Sequence, residues 1–216
     1  MHLPDRLASL DARPFDRLQA DFPRGDSAVL LLIVVGSGEP PGVVLTRRSA
    51  DLRTDPGFVA FPGGRLEPGE TAHDAARREC EEEVGISADT VTIHGRLDDT
   101  WNGAGFRITP IVASVIGPLE LAPQISEVSA AAVVPLASLV DDRHHETVVK
   151  RIDGFDFHDD VIEFAHADEL AWRLYGPTAD IARDIAAWLR GDDRRRITRR
   201  QAELDHFAST RWSTET

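Results

Sequence analysis

Four glutamates crowd into five consecutive positions of the chain, namely Glu79, Glu81, Glu82 and Glu83. On a helix with 3.6 residues per turn, Glu79, Glu82 and Glu83 share one face, at positions i, i+3 and i+4. Three converging carboxylates offer the hard oxygen ligands that Mg²⁺ and Mn²⁺ prefer, and a bound ion would reverse their repulsion. A solvated acidic helix face is the alternative explanation of such a charge run. A zinc site has little support, because the chain contains a single cysteine.

The sequence around these acids has the boundary signals of a helix. Thr71 is a suitable N-cap with Asp74 three residues later, and Gly85 suits a left-handed stop. The acids therefore fall in the last turns, where the negative end of the helix dipole disfavours them. Each like-charged pair adds a cost of roughly 0.2–0.5 kcal/mol. Because a sequence that breaks local rules in this way usually serves a site, we expect the glutamates to be functional.

Residues 64–86, which read GRLEPGETAHDAARRECEEEVGI, resemble the Nudix box G-x5-E-x7-R-E-U-x-E-E-x-G-U, in which U is apolar. Cys80 occupies the first apolar slot, as a small buried hydrophobe can. Resemblance to Nudix hydrolases implies an α/β (α+β) fold, an α/β/α sandwich with a mixed sheet. The matched positions are Gly64, Glu70, Arg78, Glu79, Glu82, Glu83, Gly85 and Ile86.

The same resemblance implies a site for Mg²⁺ or Mn²⁺ that faces the diphosphate of a nucleotide substrate. By this likeness, Glu79 and Glu83 are the main metal ligands, and Glu82 is a further ligand or positions the attacking water. The backbone carbonyl of Gly63 would complete the ligand set, since a glycine backbone can approach an ion closely. A divalent ion would neutralise charge on the diphosphate and activate the water that attacks phosphorus.

Three more residues receive roles from the resemblance. Arg78 would orient Glu79, and Glu70 would form a structural ion pair with Arg78. Glu127 precedes an apolar run at a strand entrance, where several Nudix enzymes carry a glutamate that serves as general base or extra ligand. A loop carboxylate without a role is the alternative for Glu127. The catalytic set is therefore predicted to be Glu82, Glu83, Glu127 and Arg78.

The sequence upstream of the box narrows the substrate. Residues 44–64, VLTRRSADLRTDPGFVAFPGG, resemble the pattern L-T-x-R-S-x3-R-x3-G-x3-F-P-G-G of the coenzyme A pyrophosphatase branch. Members of that branch are expected to cut CoA into phosphopantetheine and adenosine 3′,5′-bisphosphate. Arg48 and Arg53 offer planar forks for phosphate oxygens, with Ser49 beside them. Surface ion pairing is the alternative for the arginines, and closing the turn after the strand is the alternative for Ser49.

This chain departs from the branch at two positions, since Asp55 and Phe58 stand where His and Glu or Gln are usual. A CoA ester, ADP-ribose, a dinucleotide, a nucleotide sugar or a nucleoside triphosphate therefore stays open as the substrate. A non-catalytic nucleotide-sensing domain and a Nudix-fold isomerase are the other classes considered. The likeness continues in DTWNGAGF, residues 99–106, in residues 123–139, and in YGPTA, residues 175–179. Trp101 is predicted to contact a base or the pantetheine arm, with core packing as the alternative.

The chain of 216 residues has a formal net charge of −13 and ordinary hydrophobic content. We expect one Nudix domain at residues 25–190, an N-terminal helical extension at 1–24, and an Arg-rich helical tail at 191–216 packed on the domain. The first residues lack a secretory pattern and only one cysteine is present, which favours the cytoplasm. The predicted partner is a small nucleotide, with no membrane, no nucleic acid, and a monomeric or homodimeric state.

A coarse reading of periodicity gives the elements that must position the site. Helices are predicted at residues 4–20, within the box, and at 178–189, with a helical turn at 136–140. Strands are predicted at residues 28–35, 43–46, 91–97, 105–116 and 130–134. Residues 148–157 and 161–164 are predicted to form a hairpin around polar residues. In the Arg-rich tail, a solvated helix that packs Leu204 and Phe207 on a neighbour is favoured over a nucleic-acid contact.

Overall fold

A computed structural model describes residues 3–36, 38–52, 55–166, 171–192 and 197–212. The helices are α1 (Leu3–Ser9), α2 (Ala72–Val84), α3 (Leu136–Val140), α4 (Pro177–Leu189) and α5 (Ile197–Phe207). The strands are β1 (Gly25–Val35), β2 (Gly42–Arg48), β3 (Val59–Ala60), β4 (Gly63–Arg65), β5 (Thr92–Arg96), β6 (Thr100–Trp101), β7 (Phe106–Ile116), β8 (Val128–Pro135), β9 (His145–Ile152), β10 (Phe155–Ala165) and β11 (Ala171–Tyr175).

Eight strands form a mixed central sheet, as predicted. Its main path runs β3-β2-β1-β7-β5, while β4 pairs with β1, β6 with β7 and β8 with β2. The two long strands β1 and β7 are parallel and stay in register from Gly25 opposite Phe106 to Val35 opposite Ile116. The other pairs in this sheet are antiparallel. A second, antiparallel sheet has the order β11-β10-β9.

The central sheet is covered on both faces, because side chains along β1 alternate between two hydrophobic clusters. Leu30 and Leu32 pack with Cys80 and the other buried residues of α2. Leu31 and Ile33 pack on the opposite face with buried residues of α4, α3, α1 and the second sheet. The fold is thus the predicted α/β/α arrangement. Within the described residues, no helix combines the length and apolarity needed to cross a bilayer.

The N-terminal helix is shorter than predicted, because α1 ends at Ser9 and residues 10–20 are irregular. Pro14 disfavours a helix at the preceding residue. The backbone N–H groups of Asp16 and Leu18 instead donate to the carboxylates of Asp98 and Asp99, at 2.8 and 3.3 Å. These long-range hydrogen bonds replace the ones a helix would have formed.

The predicted position of the second-sheet hairpin turn was also wrong. The turn lies at Asp153–Gly154, where φ is +51° and +83°, and residues 158–160 continue inside β10. Asp-Gly is a strong signal for a two-residue hairpin turn, so the sequence contained this information. Asp160 can be buried within β10 because Arg183 donates a hydrogen bond to its carboxylate at 2.6 Å. The strand β11 was not predicted at all.

Candidate functional site

Helix α2 has the ends that its sequence predicts. The Thr71 hydroxyl accepts a hydrogen bond from the N–H of Asp74 at 3.2 Å. Gly85 closes the helix with φ of +74°, and its N–H donates to the Glu81 carbonyl at 2.9 Å. These two caps fix the ends of the helix. Its alanine and cysteine face is buried against the sheet, and Glu79 and Glu83 lie against Gly64 and Gly63 of β4.

Arg78 ties the acidic residues of the site together. Its Nε donates to Glu70 Oε1 at 2.9 Å, which is the ion pair expected from the sequence. Its Nη1 donates to Glu79 Oε1 at 2.9 Å and to Glu82 Oε2 at 3.1 Å. Its Nη2 reaches the carbonyl of Arg65 at 3.0 Å. One planar guanidinium therefore orients three carboxylates and anchors them to β4.

Two glycines let the backbone of β4 lie directly against these carboxylates. The N–H of Gly63 donates to Glu83 Oε2 at 3.2 Å. A Cβ on Gly64 would overlap the carboxylate of Glu79, and a Cβ on Gly63 would overlap the backbone of Ala28. A larger residue at Gly64 would displace the Glu79 carboxylate, whereas one at Gly63 would push β4 away from its neighbour β1.

The clustering of acids changes their proton affinity. The pKa of Glu83 is raised to about 7, chiefly by burial and further by the charges of Glu79 and Glu127. The Gly63 N–H and the charge of Arg48 oppose this rise. The pKa of Glu79 is also raised, again chiefly by burial. Arg78 opposes this rise, and the charges of Glu82 and Glu127 add to it. Four carboxylates thus repel one another across one small region, and a cation would relieve that repulsion.

The residues fit a divalent ion by their chemistry. In the part of the chain that the structure describes, no three His, Cys, Asp or Glu side chains already converge as a ligand cluster. Glu79 and Glu82 are turned toward Arg78, and Glu83 toward Gly63. The donors at hand are nonetheless all oxygens, as Mg²⁺ and Mn²⁺ require.

The segment before β8 brings Glu127 to this region. Its backbone carbonyl accepts a hydrogen bond from the N–H of Ser49 at 2.8 Å, and its side chain is exposed. Ser49 itself is buried in the turn after β2, where its hydroxyl accepts from the N–H of Asp51 at 3.4 Å. Ser49 does not line the neighbouring cleft, so this placement agrees with a turn-closing residue rather than a substrate contact.

A cleft of about 540 Å³ opens beside Gly63. Three of the four segments that resemble the CoA pyrophosphatase branch contribute to its wall, although they are far apart in the sequence, and residues 123–139 do not line it. Phe58 and Tyr175 come from two of the three segments and pack at 4.2 Å between ring centroids. The lining includes Arg48, Asp55, Phe58, Gly63, Trp101 and Tyr175.

The predicted substrate-binding residues fall in different places. Arg48 lines the cleft, and its buried Nε has no hydrogen-bond partner among the described residues. Trp101 lines the cleft and also packs on Phe207, with ring centroids 5.0 Å apart. Arg53 lies outside the described residues.

Sequence reasoning missed several of the cleft residues that follow β8. Lys150 and His158 line the cleft from the second sheet, and Glu203 and Phe207 line it from α5. Lys150 is the single lysine of the chain, which is the one local signal that sets any of them apart. Their convergence depends on how the second sheet and α5 dock, which no periodicity in the sequence expresses.

Residues 24–153 match the family model described as the NUDIX domain. The chain belongs to the Nudix family. Nudix hydrolase 3 of Caenorhabditis elegans is 31% identical over 185 residues, covering 79% of this chain and 77% of the relative. The uncharacterized Nudix hydrolase NudL of Enterobacter sp. (strain 638) is 34% identical over 169 residues, covering 76% of this chain and 82% of the relative. Among solved structures, the Nudix hydrolase RenU from M. smegmatis is 26% identical, with a TM-score of 0.46 over 53% of this chain and 73% of that chain.

Family membership makes the protein a Nudix hydrolase. Nudix hydrolases generally use divalent metal ions and act on nucleoside diphosphate derivatives. The carboxylates of α2 and the adjoining cleft are the parts of this molecule to which such an ion and such a substrate can be assigned.

Proposed function

We propose that this Nudix hydrolase is a Mg²⁺- or Mn²⁺-dependent diphosphatase that hydrolyses CoA or acyl-CoA to phosphopantetheine and adenosine 3′,5′-bisphosphate. The observation that carries the proposal is the meeting of two features at Gly63. This residue donates to the carboxylate of Glu83 and also lines the cleft. A diphosphate bound beside Gly63 would have the acids on one side and a long cleft for the rest of the substrate on the other.

The protein's residues divide the chemistry among them. Glu79, Glu82, Glu83 and the Gly63 carbonyl would hold the ion, which supplies Lewis acidity and neutralises diphosphate charge. Glu82 or Glu127 would accept a proton from the attacking water as general base. Arg78 would keep Glu79 and Glu82 oriented through the hydrogen bonds already described.

The CoA assignment is supported by the cleft rather than by the carboxylates. Arg48 places a positive charge in the wall of the cleft, which a protein of net charge −13 needs in order to attract an anionic ligand. Asp55 and Phe58, the two departures from the branch pattern, also line the cleft. These two residues therefore have the position needed to alter which nucleotide is accepted, and ADP-ribose or a dinucleotide is the second candidate.

The test is a substrate panel assayed with Mg²⁺ and with Mn²⁺. It contains CoA, an acyl-CoA, ADP-ribose, NADH, a diadenosine polyphosphate and a nucleoside triphosphate. We expect phosphopantetheine from CoA, and we expect Glu83→Gln to abolish its release. Glu81→Gln is the matched control, because Glu81 bonds the backbone of Ala88 outside the cluster.

The possible results separate the hypotheses. If another compound is hydrolysed while CoA and its esters are not, the CoA assignment is refuted and the hydrolase assignment is retained. Binding of metal and nucleotide without turnover would instead indicate a sensing domain.

A further inference from the structure

The wall of the cleft continues beyond the segment that matches the NUDIX domain, which ends at residue 153. His158 contributes from β10, and Glu203 and Phe207 contribute from α5. The Nudix match alone therefore does not include the far wall of this cleft.

Helix α5 is held in place by a buried arginine from the Arg-rich tail. Arg200 is 1% exposed, and its Nη1 donates to Asp184 at 2.7 Å. Its Nε lies 3.3 Å from the Asp180 carboxylate, and its Nη2 donates to the Asp180 carbonyl at 3.2 Å. Such a desolvated network fixes the helix on α4, so the α5 side chains that face the cleft have defined positions.

The end of the cleft beneath α5 is lined by aromatic rings. Phe207 packs on Trp101 at 5.0 Å and on Phe157 at 6.2 Å, measured between ring centroids. The rings of Trp101 and Phe207 are both only partly buried, so part of their surface faces the cleft. Beside them, Glu203 accepts hydrogen bonds from the backbone N–H and the Nδ1 of His158, at 3.1 and 3.0 Å.

This aromatic end lies at some distance from the carboxylates. Gly63 in β4 pairs with β1, β1 pairs with β7, and Trp101 in β6 pairs with β7. Three strand spacings separate the two residues, which is about 14 Å across the sheet. A ligand with its diphosphate beside Gly63 must therefore extend well away from the metal ligands to touch the rings.

We propose that Trp101 and Phe207 form a subsite that stacks the nucleobase of the substrate, and that helix α5 thereby sets substrate specificity. The assignment rests on the proposed function, because it assumes a nucleotide substrate. Partly exposed aromatic rings favour planar, polarisable groups, since stacking on the π-face contributes substantially to the binding of any base. The His158–Glu203 pair holds β10 against α5 and is a positioning pair for this wall.

Equilibrium binding tests the subsite without requiring turnover. Isothermal titration calorimetry with Mg²⁺ would compare AMP with ribose 5-phosphate, which lacks the base and has no diphosphate to cleave. We expect Phe207→Leu to weaken AMP binding about tenfold while ribose 5-phosphate binding is unchanged. Phe207→Tyr retains the ring and should retain the affinity for AMP. Phe155→Leu is the matched control, because Phe155 stacks on His206 and does not line the cleft.

Each outcome decides the proposal. Unchanged affinity for AMP in Phe207→Leu, or an equal loss for both ligands, would overturn it. A loss confined to 4′-phosphopantetheine, titrated in parallel, would assign the rings to the flexible arm and refute the base subsite. Trp101→Leu repeats the comparison from β6 should Phe207→Leu fail to fold. A wild-type protein that hydrolyses nothing in the substrate panel would refute the proposed function, yet the AMP comparison would still decide the subsite.

Discussion

Replacing Arg200 by methionine should destabilise the protein severely, although the residue lies in an Arg-rich stretch that looks like a solvated surface. The change keeps most of the side-chain volume but removes the cation between Asp180 and Asp184. Burial, only partly opposed by the Arg200 charge, raises the pKa of Asp180 to about 6. Deleting one partner of a buried ion network typically costs about 3–5 kcal/mol, because the remaining charge stays desolvated.

Urea unfolding followed by circular dichroism measures this loss. Arg211→Met is the control, since Arg211 pairs with Asp153 at 3.0 Å with both side chains more than half exposed, and such pairs contribute about 0–1 kcal/mol. Asp180, whose pKa is already raised, takes up a proton more readily once Arg200 is gone, so the loss should be smaller at pH 5 than at pH 8. A loss in Arg200→Met no greater than that in Arg211→Met would refute the anchoring role.

Two further predictions concern the site and the pH dependence. Gly64→Ala should reduce kcat/KM about a hundredfold in the hydrolase assay, because its Cβ would displace the Glu79 carboxylate; full activity would contradict this packing. Burial lowers the pKa of His94, which hydrogen-bonds Ser114 at 2.7 Å. The unfolded state therefore binds the proton more tightly than the folded state, and stability falls as pH drops below about 6.5. His94→Gln should flatten the change in urea midpoint between pH 7 and pH 5, whereas the exposed His73→Gln should not.

The glutamate-bearing helix α2 was predictable because its information is local. Thr71 and Gly85 cap it through hydrogen bonds to near neighbours, and the spacing of the glutamates sets their common face. The central sheet was predictable for a similar reason, since long apolar runs such as β1 and β7 are buried on both faces. Even the small-residue requirement at Gly64 follows from the motif.

The far wall of the cleft was not predictable in this way. Phe207 and His158 are 49 residues apart in sequence, and each looks like an ordinary amphipathic position. The predicted N-terminal helix failed for the same kind of reason, because Asp98 and Asp99 bind its backbone from a distant loop. Arg200 was placed in a solvated segment because the partners that neutralise it lie on another helix.

The order of these elements along the chain has a consequence for biosynthesis. The carboxylates at residues 79–83 leave the ribosome well before residues 197–207, which complete the aromatic end of the cleft and carry the anchoring arginine. A nascent chain that has folded only through the second sheet would carry the proposed metal ligands without the far wall of the cleft. With the proposed subsite on α5, discrimination between nucleotides would therefore be acquired late in synthesis, when α5 docks on α4.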